Sequence, residues 1–114
     1  MRPRDLAKVG QLMLDRGSFA GQRVVSREWL DEATSSQVGA GASGTGRDRL
    51  GYGYYWWTVA DSDLYLAWGH GGQHILVAPA QRLVVVKIAL PNTDDLADST
   101  PEAFLELVEP LLQR

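Results

Sequence analysis

Leu64-Tyr65-Leu66-Ala67-Trp68-Gly69-His70-Gly71-Gly72-Gln73-His74-Ile75-Leu76-Val77-Ala78-Pro79-Ala80-Gln81-Arg82-Leu83-Val84-Val85-Val86-Lys87-Ile88-Ala89-Leu90 is the stretch from which the fold is read. Its apolar runs have the length of strands, and glycine or proline separates each from the next. Residues 64–68 read as one strand. Residues 69–72 lead into a second at 73–78, Pro79-Ala80-Gln81 is a turn, and 83–90 is a third. Connections this short join antiparallel neighbours, because a parallel crossover needs a dozen residues or more. Residues 83–90 are apolar except for Lys87, the pattern of a central strand buried on both faces. A central strand needs two neighbours, and its hairpin partner supplies only one. The other must come from residues this chain lacks, or from a second copy.

Upstream, residues 52–59 are rich in aromatics and read as a further strand, with Asp61-Ser62-Asp63 as the turn that follows. Residues 36–49 form a Gly/Ser/Ala loop with no core-forming residue after Val38. A connection that long points to a functional or mobile segment. Residues 3–16 read as an amphipathic helix, with Pro3 suited to its first position and Leu6, Val9 and Met13 on one face. Gly17 fits the left-handed C′ position. Residues 17–22 then turn, and 23–25 are extended. Ser26 is an N-cap for a helix over 27–35, with Val25 and Leu30 as a hydrophobic staple.

After a polar loop at 92–99 comes the last helix. Thr100 with Pro101 is one capping solution, and Ser99 with Glu102 is another. Phe104, Leu107, Val108, Leu111 and Leu112 fall on one face, and Pro110 predicts a kink or an early end. The fold class is therefore α+β: a three- or four-stranded antiparallel sheet with the C-terminal helix packed on it, and two N-terminal helices. Residues 1–114 are expected to form a single, partial domain, since the sheet needs a strand that this chain lacks.

The bulk numbers narrow the function. With 11 Lys plus Arg against 14 Asp plus Glu, the net charge is -3, and the basic residues are scattered. That argues against a nucleic-acid partner. No window of about 18 apolar residues suggests a membrane span, and the absence of cysteine excludes a disulfide framework. The first residues read as a helix start with no leader before it, an abruptness expected of a fragment.

Three motifs bear on chemistry. Gly39-Ala40-Gly41-Ala42-Ser43-Gly44 matches G-x-G-x-x-G by letter, but a helix precedes it and no helix follows, so a flexible loop explains it better. His70 and His74 on one strand lie about 13 Å apart at ~3.3 Å per residue, too far for one ion; no metal or other cofactor is expected, and His74 reads as a half-buried sheet residue. Gly69-His70-Gly71-Gly72 is the informative motif. Glycines at a strand opening either mark a bulged, tight hairpin or let a ligand approach the backbone closely. In the second case the exposed N–H groups can bind an oxyanion, and His70 can donate a hydrogen bond or relay a proton.

A resemblance favours the second case. Asp5-Leu6-Ala7, Gly17 and Gly21 in the turn, Ser26-Arg27-Glu28-Trp29, Gly51-Tyr52-Gly53-Tyr54 with Trp56-Trp57, Gly69-His70-Gly71-Gly72-Gln73, Pro79 and the strand at 83–90 follow one another in order. Together they resemble the C-terminal part of the β-lactamase-related serine hydrolases. That family includes penicillin-binding proteins, class C β-lactamases, D-alanyl-D-alanine peptidases, esterases and amide hydrolases. The resemblance implies a partial β-lactamase/transpeptidase-like fold and acyl-serine chemistry on a small amide, ester or peptide-like substrate. It also implies a periplasmic or extracellular setting.

His70-Gly71-Gly72 would take the place of the family's Lys-Thr-Gly strand motif, which leans toward an esterase or peptidase. The Gln73 N–H would be one oxyanion donor. Gly71, Gly72, Tyr52, Tyr54 and Trp56 would line the cleft. The departures are as informative. Lys8 and Lys87 are the only lysines, and neither follows a serine at the Ser-x-x-Lys spacing. No Tyr-x-Asn or Tyr-x-Ser occurs. Without nucleophile or base the chain alone is expected to be inactive, and its open sheet edge is expected to drive self-association. The alternative is a non-catalytic module that binds a peptide or partner along the glycine-edged strand.

Overall fold

A computed structural model of the chain describes residues 2–38, 50–69, 73–89 and 100–113. His70, Gly71, Gly72, the Gly39–Gly44 motif and Ser99 lie outside the described residues, and with them the expectations placed on them.

Helix α1 spans Pro3–Leu14 with Pro3 in its first turn. Its buried stripe is Gly10, Met13 and Leu14, with Leu6 half-buried one turn earlier. Val9, expected on that face, is exposed. The stripe is rotated because Gly10 is the contact point: a Cβ there would meet the Val84 side chain, so its absence lets α1 settle onto the sheet. The helix closes in a Schellman arrangement. The Gly17 N–H reaches the Leu12 carbonyl at 2.9 Å and the Arg16 N–H that of Met13 at 3.1 Å. The left-handed C′ residue is therefore Arg16 (φ 60°), one position before the expected Gly17 (φ 94°). Gly17 serves the next contact instead, since a Cβ would collide with the Val25 carbonyl oxygen.

The segment expected as a turn is a small hairpin, β1 (Ser18–Phe19) paired with β2 (Gln22–Arg23). Ala20 and Gly21 between them both have positive φ, as a type I′ connection requires. Helix α2 (Arg27–Ala33) starts as expected, the Trp29 N–H donating to the Ser26 Oγ at 3.1 Å. Val25 and Leu30 belong to one core cluster, as a staple should.

Among the described residues the sheet has five strands, more than expected, in the order β3-β4-β5-β6-β7. All neighbours are antiparallel. The run at 52–59 is not one strand. It breaks into β3 (Leu50–Tyr52) and β4 (Trp57–Val59) around a turn closed by the Gly53 N–H donating to the Trp56 carbonyl at 2.7 Å. Composition favours strand throughout, but Tyr55 takes φ 67° and reverses the chain. Next come β5 (Tyr65–Gly69), β6 (Gln73–Ala78) and β7 (Leu83–Lys87). Among the described residues β6 is the only strand beside β7. The apolar run expected at the sheet centre therefore lies at its edge, and all its residues are only half-buried.

Alternation along the strands feeds two cores. Leu50, Val59, Leu66 and Leu76 pack against Phe104, Leu105 and Val108 of helix α3 (Pro101–Leu112). On the other face Tyr65 and Val77 pack against Met13, Leu14 and Leu30. The sheet is thus covered on both sides, α3 on one and the N-terminal helices on the other. Thr100 caps α3, its Oγ1 accepting from the Ala103 N–H at 3.2 Å. Leu105 takes the buried place expected for Leu107, which is 64% exposed. The helix ends two residues past Pro110. No helix of the described residues is long and apolar enough to cross a membrane.

Candidate functional site

One end of the sheet gathers the residues that the sequence singles out. The β5–β6 ladder runs from Tyr65↔Val77 to Gly69↔Gln73, so this last pair brackets residues 70–72. The β4–β5 ladder pairs Thr58 with Tyr65 and Trp57 with Leu66. Residues 53–56, which precede Trp57, therefore point toward the same end as Gly69. Lys87 reaches it too, opposite His74. Past β7, the Ala89 carbonyl accepts from the Gln73 side-chain amide at 2.7 Å. Helix α3 arrives with its N-terminal half, Phe104 stacking on His74 at 4.4 Å and 16°.

His74 is buried, 2% exposed, rather than half-buried. It faces the α3 core as a packing residue. Among the described residues no group of three or more possible metal ligands exists. Gln73 opens β6, directly after residues 70–72. The two ladders end at different heights. Pairing with β4 stops at Leu66, whereas pairing with β6 continues to Gly69.

The three expected cleft aromatics divide between the faces of the sheet. Tyr52 packs edge-on against Trp57 at 4.6 Å, and Trp57 leans on Trp68 at 5.7 Å. These rings form a row across β3, β4 and β5. Trp56 turns the other way, its ring edge-on to Tyr65 at 5.4 Å. Tyr54 stacks on Trp29 of α2 at 5.4 Å, and its hydroxyl donates to the Glu32 carboxylate at 3.1 Å. That acceptor, which favours the protonated phenol, raises the Tyr54 pKa above its usual value, with burial adding to it. Even so, Tyr52, Tyr54 and Trp56 all line one cavity of about 720 Å³ between α2 and the β3–β4 turn. Trp29 and Tyr55 belong to it as well. Sequence reasoning missed these two as site residues, since only the fold brings a ring on α2 against a turn more than twenty residues away.

A larger cavity, about 840 Å³, opens at the opposite end of the sheet beside Arg16, Asp31, Thr58 and Asp61. Several of its hydroxyls bond nearby backbone. Ser36 donates to the Val38 carbonyl at 2.6 Å, Thr34 to that of Leu30 at 2.8 Å, and Ser62 to that of Val59 at 3.1 Å. Arg16 is held by Asp31.

No family model and no curated protein matches the chain. Among solved structures, the fold is similar to that of a protein described as "Putative 6-aminohexanoate-dimer hydrolase from Bacillus anthracis", with a TM-score of 0.67 and 20% identity. The match covers 97% of this chain and 29% of that one. The α+β arrangement of this chain is thus similar to part of a larger protein's fold. The chain spans less than a third of its neighbour's length.

Proposed function

We propose that this chain is the C-terminal portion of a β-lactamase-related serine hydrolase acting on amide or ester bonds, and that it is inactive alone. The observation that carries the reading is the fold match, in which nearly the whole chain corresponds to under a third of a protein described as a hydrolase. The position of the ordered motif on the fold supports it. Gly69 and Gln73 end paired strands at the sheet end toward which residues 53–56 point, and by the resemblance the Gln73 N–H would edge the substrate cleft. In that role Gln73 contributes one donor to the oxyanion that forms when a serine attacks the substrate carbonyl. His70 orients or protonates groups beside it. The serine and its lysine come from outside this sequence.

The second reading is a non-catalytic module that binds a peptide or partner along the glycine-edged strand. An extended peptide could add along that edge by main-chain hydrogen bonds. Coding DNA directly upstream separates the two. An in-frame Ser-x-x-Lys supports the hydrolase, while a stop codon with a dedicated ribosome-binding site in front of Met1 supports the module. On the protein itself, a fluorophosphonate probe should leave every serine unlabelled. Stoichiometric labelling of the isolated chain would overturn its assignment as an inactive portion.

A further inference from the structure

Helix α3 carries charge that does not help it fold. Glu102, Glu106 and Glu109 fall at i, i+4 and i+7, so they share one side of the helix. Like charges at this spacing repel, and the helix contains no Lys or Arg to offset them. Glu109 sits in the last turn, where the helix dipole disfavours an anion. No Lys or Arg among the described residues forms an ion pair with Glu106 or Glu109. Glu109 accepts only from the Gln113 side-chain amide, at 3.5 Å.

This acidic stripe borders an apolar groove. Between α3 and β3 lies a hollow of about 430 Å³, with Leu50, Leu64, Leu105 and Leu112 as its floor and the three carboxylates at its rim. Leu50 and Leu105 belong to the buried core, whereas Leu64 and Leu112 are half-buried and keep apolar surface in contact with water. Leu105 and Leu112 are two turns apart, so the groove follows the helix for about 10 Å at ~1.5 Å per residue. The carboxylates are strung along it. Among the described residues no group of three or more possible metal ligands exists, so the rim does not gather around an ion. A partner helix fits better. Its apolar anchors at i and i+7 would repeat the spacing of Leu105 and Leu112, with cations flanking them to meet the rim. Lys and Arg also lay their apolar stems on such a floor while the charge stays in water.

We propose that this groove docks a basic amphipathic helix of another protein, its apolar anchors on the leucine floor and its Lys or Arg side chains at Glu106 and Glu109. The docking does not depend on the hydrolase reading.

The test titrates the full chain into a fluorescein-labelled helical peptide of about 14 residues, long enough to span the groove, and reads anisotropy. The peptide carries leucine on one stripe and arginine beside it, and two counterparts replace arginine by glutamine or leucine by serine. The parent peptide should bind saturably, about fourfold tighter than the glutamine form, from two exposed ion pairs worth about twofold each. High salt should shrink that advantage, and the serine form should not saturate. Glu106 and Glu109 are exposed, so Glu106→Gln with Glu109→Gln should erase the advantage without lowering the melting temperature. Asp5→Asn with Glu28→Gln removes the same charge from exposed positions on the other helices and should leave the advantage intact. Equal losses in the two double variants would show attraction to the chain's overall charge and overturn the proposal. So would an advantage that survives Glu106→Gln with Glu109→Gln, a serine form that binds as well as the parent, or no saturation. Binding that appears only after Arg47→Gln with Arg49→Gln also overturns it, since the arginines just before Leu50 in sequence would then be the occupants.

Discussion

Tyr65 is buried beside Met13, Leu14, Leu30 and Val77, and its ring meets Trp56 edge-on. Burial pushes its phenol up to about 12, Arg16 working against the shift and Asp63 and Asp31 adding to it. A phenol whose folded pKa lies above its unfolded value keeps its proton in the native state while the unfolded chain has already lost it. Native stability is therefore unaffected below about pH 10 and falls between about 10 and 12, by at most roughly 2.7 kcal/mol. Denaturant melts at pH 9 and pH 11.5 should show that loss, and Tyr65→Phe should flatten it. An equal slope in the variant would mean that other groups carry the effect. At this scale the sequence is legible where a residue acts on its immediate neighbours. Ser26 and Thr100 cap the helices that their spacing predicts. It is illegible where a side chain acts across the fold: nothing local to Tyr54 announces a bond to Glu32, and His74 is buried only because Phe104 of α3 lies over it.

Elements meet here through missing side chains. The β3–β4 turn docks on the end of α2, where the Tyr54 N–H donates to the Ala33 carbonyl at 2.9 Å, and a Cβ on Gly53 would collide with that same oxygen. The obstacle is backbone and cannot rotate away. Gly53→Ala should cost about 1–3 kcal/mol, the range for forced overpacking, and should loosen the Trp29–Tyr54 stack. A chemical melt reads the first effect and Trp29 fluorescence the second; a variant as stable as the parent would show that the turn is not docked this way. The same contact explains why the sequence reads as one strand over 52–59. Every residue there except Gly53 favours extended structure, and what divides the run is α2's backbone pressing on Gly53. Gly10 is the matching case on α1. A glycine inside a helix usually costs stability, but here it is the only residue that fits against Val84, so the buried stripe turns away from Val9. Where elements touch by backbone approach, hydrophobic periodicity alone misplaces the face.

At the scale of the whole molecule, the open side of β7 decides how the chain behaves. Its sequence, Leu83-Val84-Val85-Val86-Lys87, contains no proline and a single charge at one end, and among the described residues only β6 pairs with it. Natural edges are blunted by inward charges, prolines or bulges; this strand has no proline, and its one charge, Lys87, sits at its end. Its apolar run suits a strand with two neighbours, and the fold match covers under a third of a larger protein that has further chain to supply one. In isolation the nearest substitute is a second copy. Two β7 strands paired antiparallel about Val85 would place Lys87 of each beside Leu83 of the other, so no like charges meet. We therefore expect the 12.5 kDa chain to sediment as a dimer or larger at tens of micromolar, with association falling on dilution. Val86→Lys tests the edge specifically. Val86 belongs to neither core cluster, unlike Val84 and Val85, so a lysine there should leave the fold intact while making the edge repel its copy. Sedimentation velocity should then show a monomer with an unchanged circular dichroism spectrum. A parent chain that is monomeric at those concentrations would sink the prediction, as would a variant that associates as tightly as the parent.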